Sequence, residues 1–249
     1  MKVSIITPAY NAEDWILKTY DSISSQTYED WEWLVTDDCS SDNTLHLLKQ
    51  VAKSDSRVKV LSNVKNSGAA VSRNNSIKHA QGDFLAFLDS DDVWLTDKLE
   101  KQLKFMTEGI NLSFTGYELI DERSDRLNKT VDSTQSGSFT YHDMLKKKAT
   151  MGCSTVMVRC SQFDDMFMPL LRTGQDYALW LKLLKTGEHA YVMNEVLTQY
   201  RILSNSISRN KFKKAKRQWQ IYREVECLGF ISSSINFFFY AWRAIFRKP

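Results

Sequence analysis

The sequence predicts an α/β fold built on a mostly parallel central sheet with flanking helices. Three observations carry that prediction. Apolar runs of strand length alternate with segments whose apolar residues recur at helical spacing. The connections between them are short, which implies right-handed crossover units. The second and fourth apolar runs both stop abruptly in clusters of carboxylates, where a parallel sheet places its ligand crevice.

Residues 3–7 (VSIIT) read as the first buried strand, stopped by Pro8, with Asn11 as cap for the next helix. Residues 13–25 carry Trp15, Ile16, Thr19, Ser22 and Ile23 at helical spacing. Residues 31–36 (WEWLVT) form the second strand and run into Asp37, Asp38, Cys39, Ser40, Ser41 and Asp42. A helix over 43–53, a strand over 58–61 and a small-residue-rich helix over 68–80 come next. Residues 84–88 (FLAFL) make the fourth strand, too short to span a membrane. It ends in Asp89, Ser90, Asp91 and Asp92. A helix over 95–107 and a strand over 112–119 close the first half. Residues 121–150 read as a polar loop with a short helix, and 151–159 as a strand. Tyr177 to Thr186 read as a helix with Leu179, Trp180, Leu183 and Leu184 on its apolar side.

Three carboxylates in four residues repel one another. The turn after the fourth strand therefore fits either a hard divalent metal shared with a phosphate-bearing substrate or an acidic turn with Asp92 capping the next helix. Thr7, Asp37, Asp38, Asp89, Asp91 and Asp92 should meet along one sheet edge, which favours the metal–phosphate reading. The turn after strand one, PAYNAED, has no glycine, and no GxxxxGK[ST] occurs. The glycines that a dinucleotide-binding fold and a P-loop nucleotidase need are therefore missing, which disfavours both. Carboxylates in place of glycines suit an enzyme that releases a nucleoside diphosphate.

The chain has 249 residues, 43% hydrophobic, 25% charged, with a formal net charge of +3. That is one domain with a tail. Cys39, Cys153, Cys160 and Cys227 show no metal-ligand spacing and read as reduced thiols of a cytosolic protein. The N-terminus lacks the apolar core of a signal peptide.

The stretches SIITPAYNAEDWILKTYDSISSQTYEDWEWLVTDDCSSDNT, NSGAAVSRNNSIKHAQGDFLAFLDSDD and GQDYALWLKLLKTG resemble the family 2 glycosyltransferases, inverting enzymes with a GT-A fold, over about the first 200 residues. The resemblance implies a donor half over about 1–118 and an acceptor half over about 119–210. Beyond them lies a basic and aromatic extension over 211–249. It places Thr7, Pro8 and Tyr10 at the first nucleotide-binding turn, Asp38 on the uracil ring and Asp37 in a structural role. Arg73 falls near base and diphosphate, Asp89 and Ser90 at the nucleotide, and Asp91 on Mg²⁺ or Mn²⁺, with Asp92 sharing that metal. Asp176 matches the catalytic base that deprotonates an acceptor hydroxyl; it also reads as a cap at the helix start.

Two positions depart from the family pattern. Cys39 stands where many members have glycine, which suggests a turn without positive φ. Gln175 stands where many have Glu. The implied partners are a nucleotide-sugar donor, UDP-linked, and a saccharide acceptor carried on a polyprenyl lipid. Rival readings are a polyprenyl-phosphate sugar transferase, which needs no hydroxyl base, and an inactive nucleotide-sugar-binding subunit.

Residues 201–217 hold seven Lys or Arg and no acid. They read as a loop on the donor diphosphate, resembling the family through Tyr200-Arg201 and Ser206-Ile207-Ser208, or as a contact with an anionic membrane. No nucleic-acid motif accompanies them. Residues 228–246 mix Phe, Trp and Tyr with serines, Asn236 and Arg243, which favours an interfacial helix over a transmembrane one. The expected location is cytoplasmic, peripheral at the inner face of the plasma membrane.

Overall fold

The computed structural model describes residues 1–107, 109–203 and 211–246. The first half alternates strands and helices: β1 (Val3–Ala9), α1 (Ile16–Ser24), β2 (Trp31–Asp37), α2 (Thr44–Ser54), β3 (Val58–Ser62), α3 (Ala69–Lys78) and β4 (Phe84–Phe87). After them come a short β5 (Val93–Trp94), α4 (Lys98–Phe105), β6 (Leu112–Ile120), β7 (Arg126–Val131), β8 (Ser138–Phe139) and α5 (Tyr141–Leu145). The chain continues through β9 (Met157–Arg159), α6 (Gln175–Leu184), β10 (Ala190–Arg201), α7 (Lys211–Gln220), a π-helical turn (Ile221–Val225) and α8 (Phe230–Phe246).

These strands form one sheet in the order β3-β2-β1-β4-β9-β6-β10-β5, with β7 on β6 and β8 on β10. The β3-β2-β1-β4 portion is parallel throughout, and β6 and β10 are parallel to each other. β9 runs antiparallel between β4 and β6 and joins the two portions. Alternate residues point to opposite faces of a strand, so the sheet carries two apolar layers. Val3, Ile5, Phe84, Ala86 and Leu88 pack under α1, α2 and α4. Ile6, Leu85 and Phe87 pack with Ala70 and Ile77 of α3 and the apolar side of α6.

Several local expectations are corrected. Pro8 does not stop β1; it lies within it, opposite Thr36. Leu88 donates to the Ile6 carbonyl, and Asp38 to that of Ala9. The Pro8 nitrogen therefore faces the side that β4 has already left, where no donor is required. Asn11 does not cap α1. It takes φ 49° and its side chain accepts from Ser41 N at 2.9 Å. Residues 151–159 are not one strand. Met151 has φ 49°, a 3₁₀ turn covers Cys153–Thr155, and only Met157–Arg159 pairs. The polar segment 121–150 contains two strands, β7 and β8, as well as the short helix.

β10 is a strand that the pattern hides, because register shifts between Met193 and Thr198 interrupt its alternation. The basic segment is helical from Lys211 onward. Ser206, Ile207 and Ser208 lie outside the described residues. Among the described residues, no helix is long and apolar enough to cross a membrane.

Candidate active site

The carboxyl ends of β1, β2 and β4 lie side by side, since Ala9 pairs with Asp37 and Ile6 with Phe87. The turns that leave these strands are tied together. Asn11 N donates to Ser40 Oγ at 3.0 Å, Ala12 N to Thr44 Oγ1 at 2.8 Å and Asn43 N to Glu13 Oε2 at 2.9 Å. Tyr10 stands exposed at the mouth between them and Pro8 is part-buried. Thr7 is not in the crevice: it is fully buried, and its hydroxyl accepts from Trp33 Nε1 at 2.8 Å.

Asp38 is buried and organises the opposite wall. Its Oδ1 accepts from Asn63 Nδ2 and Ser67 N, each at 2.8 Å, and its Oδ2 from Gly68 N at 2.7 Å. Asp37 accepts from Ser40 N at 3.1 Å through Oδ2, while its Oδ1 is buried with no hydrogen bond. Those bonds hold Cys39 between them at φ 63°, contrary to the turn without positive φ expected for a non-glycine. The left-handed region costs a residue with a Cβ roughly 1–2 kcal/mol, and a well-bonded frame can impose it. Cys39 is exposed and all four cysteines are free thiols. Cys39→Gly is therefore expected to raise unfolding stability by about 0.5–1 kcal/mol. Urea denaturation checks this; an unchanged or lower midpoint means the turn stores no strain.

The turn after β4 is pinned from three sides. Thr19 Oγ1 of α1 donates to the carbonyls of Ser90 and Asp92, each at 3.0 Å. Ser154 accepts from Asp89 N at 3.1 Å and donates to Asp92 Oδ2 at 2.5 Å. Arg201, closing β10, donates its backbone N–H to Asp92 Oδ1 at 2.9 Å and its Nε to the Asp91 carbonyl at 2.8 Å. Its Nη1 reaches the Asp121 carbonyl at 2.9 Å and Ser124 Oγ at 3.0 Å. Arg201 thus ties this turn to the β6–β7 connection, while its Nη2 is buried with no hydrogen bond; the sequence placed this residue on the donor diphosphate or an anionic membrane. Asp92 does not cap a helix: α4 begins at Lys98, and both Asp92 oxygens are taken by Ser154 and Arg201.

Burial and the charges of Asp91 and Asp89 hold the Asp92 carboxyl well above the usual carboxylate range. Asp91 is different. Among the described residues, no side chain or backbone group beyond its own N–H is hydrogen-bonded to its carboxyl. Burial, then the charge of Asp89, push it up to about 6 against the pull of Arg201 and Arg73.

Arg73 of α3 is buried and ion-paired with Asp89. Its Nη1 contacts Met168 Sδ at 3.9 Å, and its Nε is buried with no hydrogen bond. Met168 in turn exchanges two hydrogen bonds with Asn74, at 2.9 and 2.7 Å, which bind the segment before α6 to the donor-side helix. Asp176, second residue of α6, is half-buried at the helix N-terminus, where a negative charge is favourable. It lies within the electrostatic reach of Arg73 and of Lys214 on α7. Lys214 is drawn below the usual lysine range by desolvation, against the attraction of Asp176. Gln175 beside it is buried with an unpaired Oε1. Thr19 and Ser154 carry no sequence signal for these positions, because topology alone delivers them; Arg201 and Lys214 are signalled as parts of the basic run 201–217.

Among the described residues, no three His, Cys, Asp or Glu side chains gather into a metal cage. The donor set fits a hard cation held by one carboxylate and completed by substrate phosphates, a common arrangement for Mg²⁺. Of the two carboxylates expected on the metal, Asp92 has both oxygens held by Ser154 and Arg201, whereas Asp91 has no hydrogen-bond donor beyond its own N–H among the described residues.

A family model described as Glycosyl transferase family 2 matches residues 4–167. The chain is 47% identical over 247 residues to "Putative teichuronic acid biosynthesis glycosyltransferase TuaG" of Bacillus subtilis (strain 168), covering 99% of this chain and 97% of that one. It is 41% identical over 221 residues to the Escherichia coli UDP-Glc:alpha-D-GlcNAc-diphosphoundecaprenol beta-1,3-glucosyltransferase WfgD, covering 88% and 84%. The fold is similar to that of S. aureus TarS 1-349 in complex with UDP, with a TM-score of 0.69 at 23% identity. That match covers 81% of this chain and 61% of the other, so the chain spans about six tenths of that protein.

Proposed function

The chain belongs to glycosyl transferase family 2, and on that premise we propose that it moves a sugar, with inversion, from a UDP donor to a hydroxyl of a polyprenyl-linked saccharide. TuaG is named as a putative glycosyltransferase of teichuronic acid biosynthesis, and WfgD is named for a UDP-glucose donor and an undecaprenol-diphosphate-linked acceptor. The observation that carries the reading is buried Arg73, ion-paired with Asp89 and within the electrostatic reach of Asp91 and Asp176, at the sheet edge where Asp38 follows β2.

Pro8, Tyr10 and the turn held by Asp38 form the walls for the nucleotide, and Asp89 with Ser90 approaches it from the β4 side. Asp91 would hold Mg²⁺ or Mn²⁺, which supplies positive charge to the departing diphosphate. Arg73 fixes Asp89 and adds a cation at the same edge. Asp176 takes the proton of the acceptor hydroxyl as that oxygen attacks the anomeric carbon. Its place at a helix start, on a helix buried along Leu179, Trp180 and Leu183, fixes its direction. The exposed apolar stripe of α8 supports a peripheral position on the inner membrane face.

Calorimetric titration of UDP into the protein tests the donor site. Binding is expected with Mn²⁺ and is expected to disappear in EDTA. Binding of GDP or dTDP in place of UDP would overturn the donor assignment, and UDP binding unchanged by EDTA would overturn the metal.

A further inference from the structure

The C-terminal helix presents two different faces. Ser233, Asn236 and Phe237 turn inward, with Phe237 edge-on to Trp219 at 5.6 Å between centroids. Ile231, Ile235, Phe238, Trp242 and Phe246 are exposed and fall at intervals of four, three, four and four residues, one continuous stripe. Successive rings touch along it: Phe238 stacks on Trp242 at 6.3 Å, and Trp242 meets Phe246 at 4.3 Å. A stripe of large apolar side chains on the outside of a protein marks a surface that something covers.

At its C-terminal end the stripe opens into a groove of about 370 Å³ lined by Lys148, Phe239, Trp242, Arg243 and Phe246. One end of the groove is cationic and the rest is aromatic. Arg243 is set there by a bond from Nη1 to the Lys146 carbonyl and lies over the Phe239 ring at 5.6 Å. Lys148 pairs with Asp143 at 2.5 Å. The same 146–148 segment reaches the catalytic side of the molecule. Lys147 sits 5.8 Å from the Tyr177 ring and 5.8 Å from the Tyr240 ring. Tyr177 is the neighbour of Asp176 and donates to the Met144 carbonyl at 2.9 Å. The groove and the base helix therefore share one short connection.

A ligand suited to this groove carries negative charge at one end and hydrocarbon at the other. We infer that the groove beside α8 takes the phosphate and first isoprene units of the acceptor's polyprenyl lipid, with the phosphate at Arg243 and Lys148 and the chain along Phe239, Trp242 and Phe246. This rests on the lipid-linked acceptor proposed above. A bulk anionic membrane would satisfy the stripe alone; a groove with cations at one end, beside the base helix, calls for a single lipid. The stripe rests on the bilayer while the lipid's head is drawn out of it toward Asp176.

The test is co-sedimentation of the full chain with phosphatidylcholine vesicles doped with undecaprenyl phosphate, or with phosphatidylglycerol at equal charge. Wild type is expected to bind the undecaprenyl phosphate vesicles about tenfold more tightly. Arg243→Gln and Lys148→Gln are each expected to lose about fivefold, the worth of one cation near an anionic surface. Phe239→Ser should lose the preference between the two lipids. UDP binding of each variant serves as the check on folding and is expected to be unchanged. Equal binding to both vesicles, or full binding by the folded variants, overturns the groove. Retained preference in a protein that glycosylates no polyprenyl-linked saccharide would overturn the acceptor assignment and leave the groove standing.

Discussion

Asp176→Asn is expected to lower the turnover number by a factor of about 10²–10⁴, the range that a positioned general base supplies. The amide fills the same space, and among the described residues no hydrogen bond to the Asp176 side chain is lost. Metal-dependent UDP binding should therefore persist while transfer fails. Lys214 is expected to respond as well, because the attraction of Asp176 opposes its desolvation. Removing that charge lowers the lysine pKa further. Steady-state kinetics on a polyprenyl-linked saccharide, alongside calorimetry with UDP, reads both effects. A variant that keeps most of its activity would mean that the nucleophile needs no base, as a lipid phosphate would not.

Asp91→Asn is expected to have two effects of opposite sign. Transfer should fall at least 10²-fold, the usual loss when one stabiliser of transition-state charge is removed. The metal-free protein should nevertheless become more stable. The sign comes from linkage: a carboxyl raised to about 6 in the folded chain binds its proton more tightly than in the unfolded one. The stability this gives is complete below the ordinary value of 3.8 and is lost as pH rises through about 6. At pH 7 the wild type holds an ionised, half-buried group that, among the described residues, has no hydrogen-bond donor beyond its own N–H, and Asn does not carry that charge. The gain is about 1–2 kcal/mol, or roughly 3–6 °C in Tm for a chain of this size. Melting curves at pH 5 and 7, with and without Mn²⁺, read it: the difference should be largest at pH 7 without metal. A variant less stable than wild type at pH 7 would show that Asp91 has a partner in the folded protein.

The alternation of strands and helices through the first half was legible because β1, β2 and β4 are short, buried on both faces and bounded by polar turns, with only the edge strand β3 part-exposed. The convergence of Asp38, Asp89 and Asp91 came from the rule that parallel strands deliver their carboxyl ends to one edge. The features that hid from the sequence did so for physical reasons. β10 is interrupted by register shifts, so its apolar residues do not alternate. Thr7 occupies the right strand end, but a period of two turns its hydroxyl to Trp33. Arg201 carries the charge expected of a phosphate ligand, yet its neighbours in space, at 91–92 and 121–124, are some eighty or more positions distant in the chain. No local pattern encodes such contacts.

The place of β9 has a consequence for exchanging parts between relatives. A cut near residue 119, where the family resemblance puts the division between donor and acceptor halves, runs through β6 and strips it from β9 and β10. Because β9 lies between β4 and β6, neither half owns a finished sheet edge. A chimera spliced there would join two unpaired ladders, prone to stick to other chains. Grafts that respect the weave replace whole connections instead. The segment between β9 and α6 carries no strand of the sheet, whereas the segment between β6 and α5 brings β7 onto β6 and β8 onto β10. Exchanging the β9–α6 connection keeps the strands whole but replaces Met168, so Arg73 and Asn74 on α3 must be matched with it.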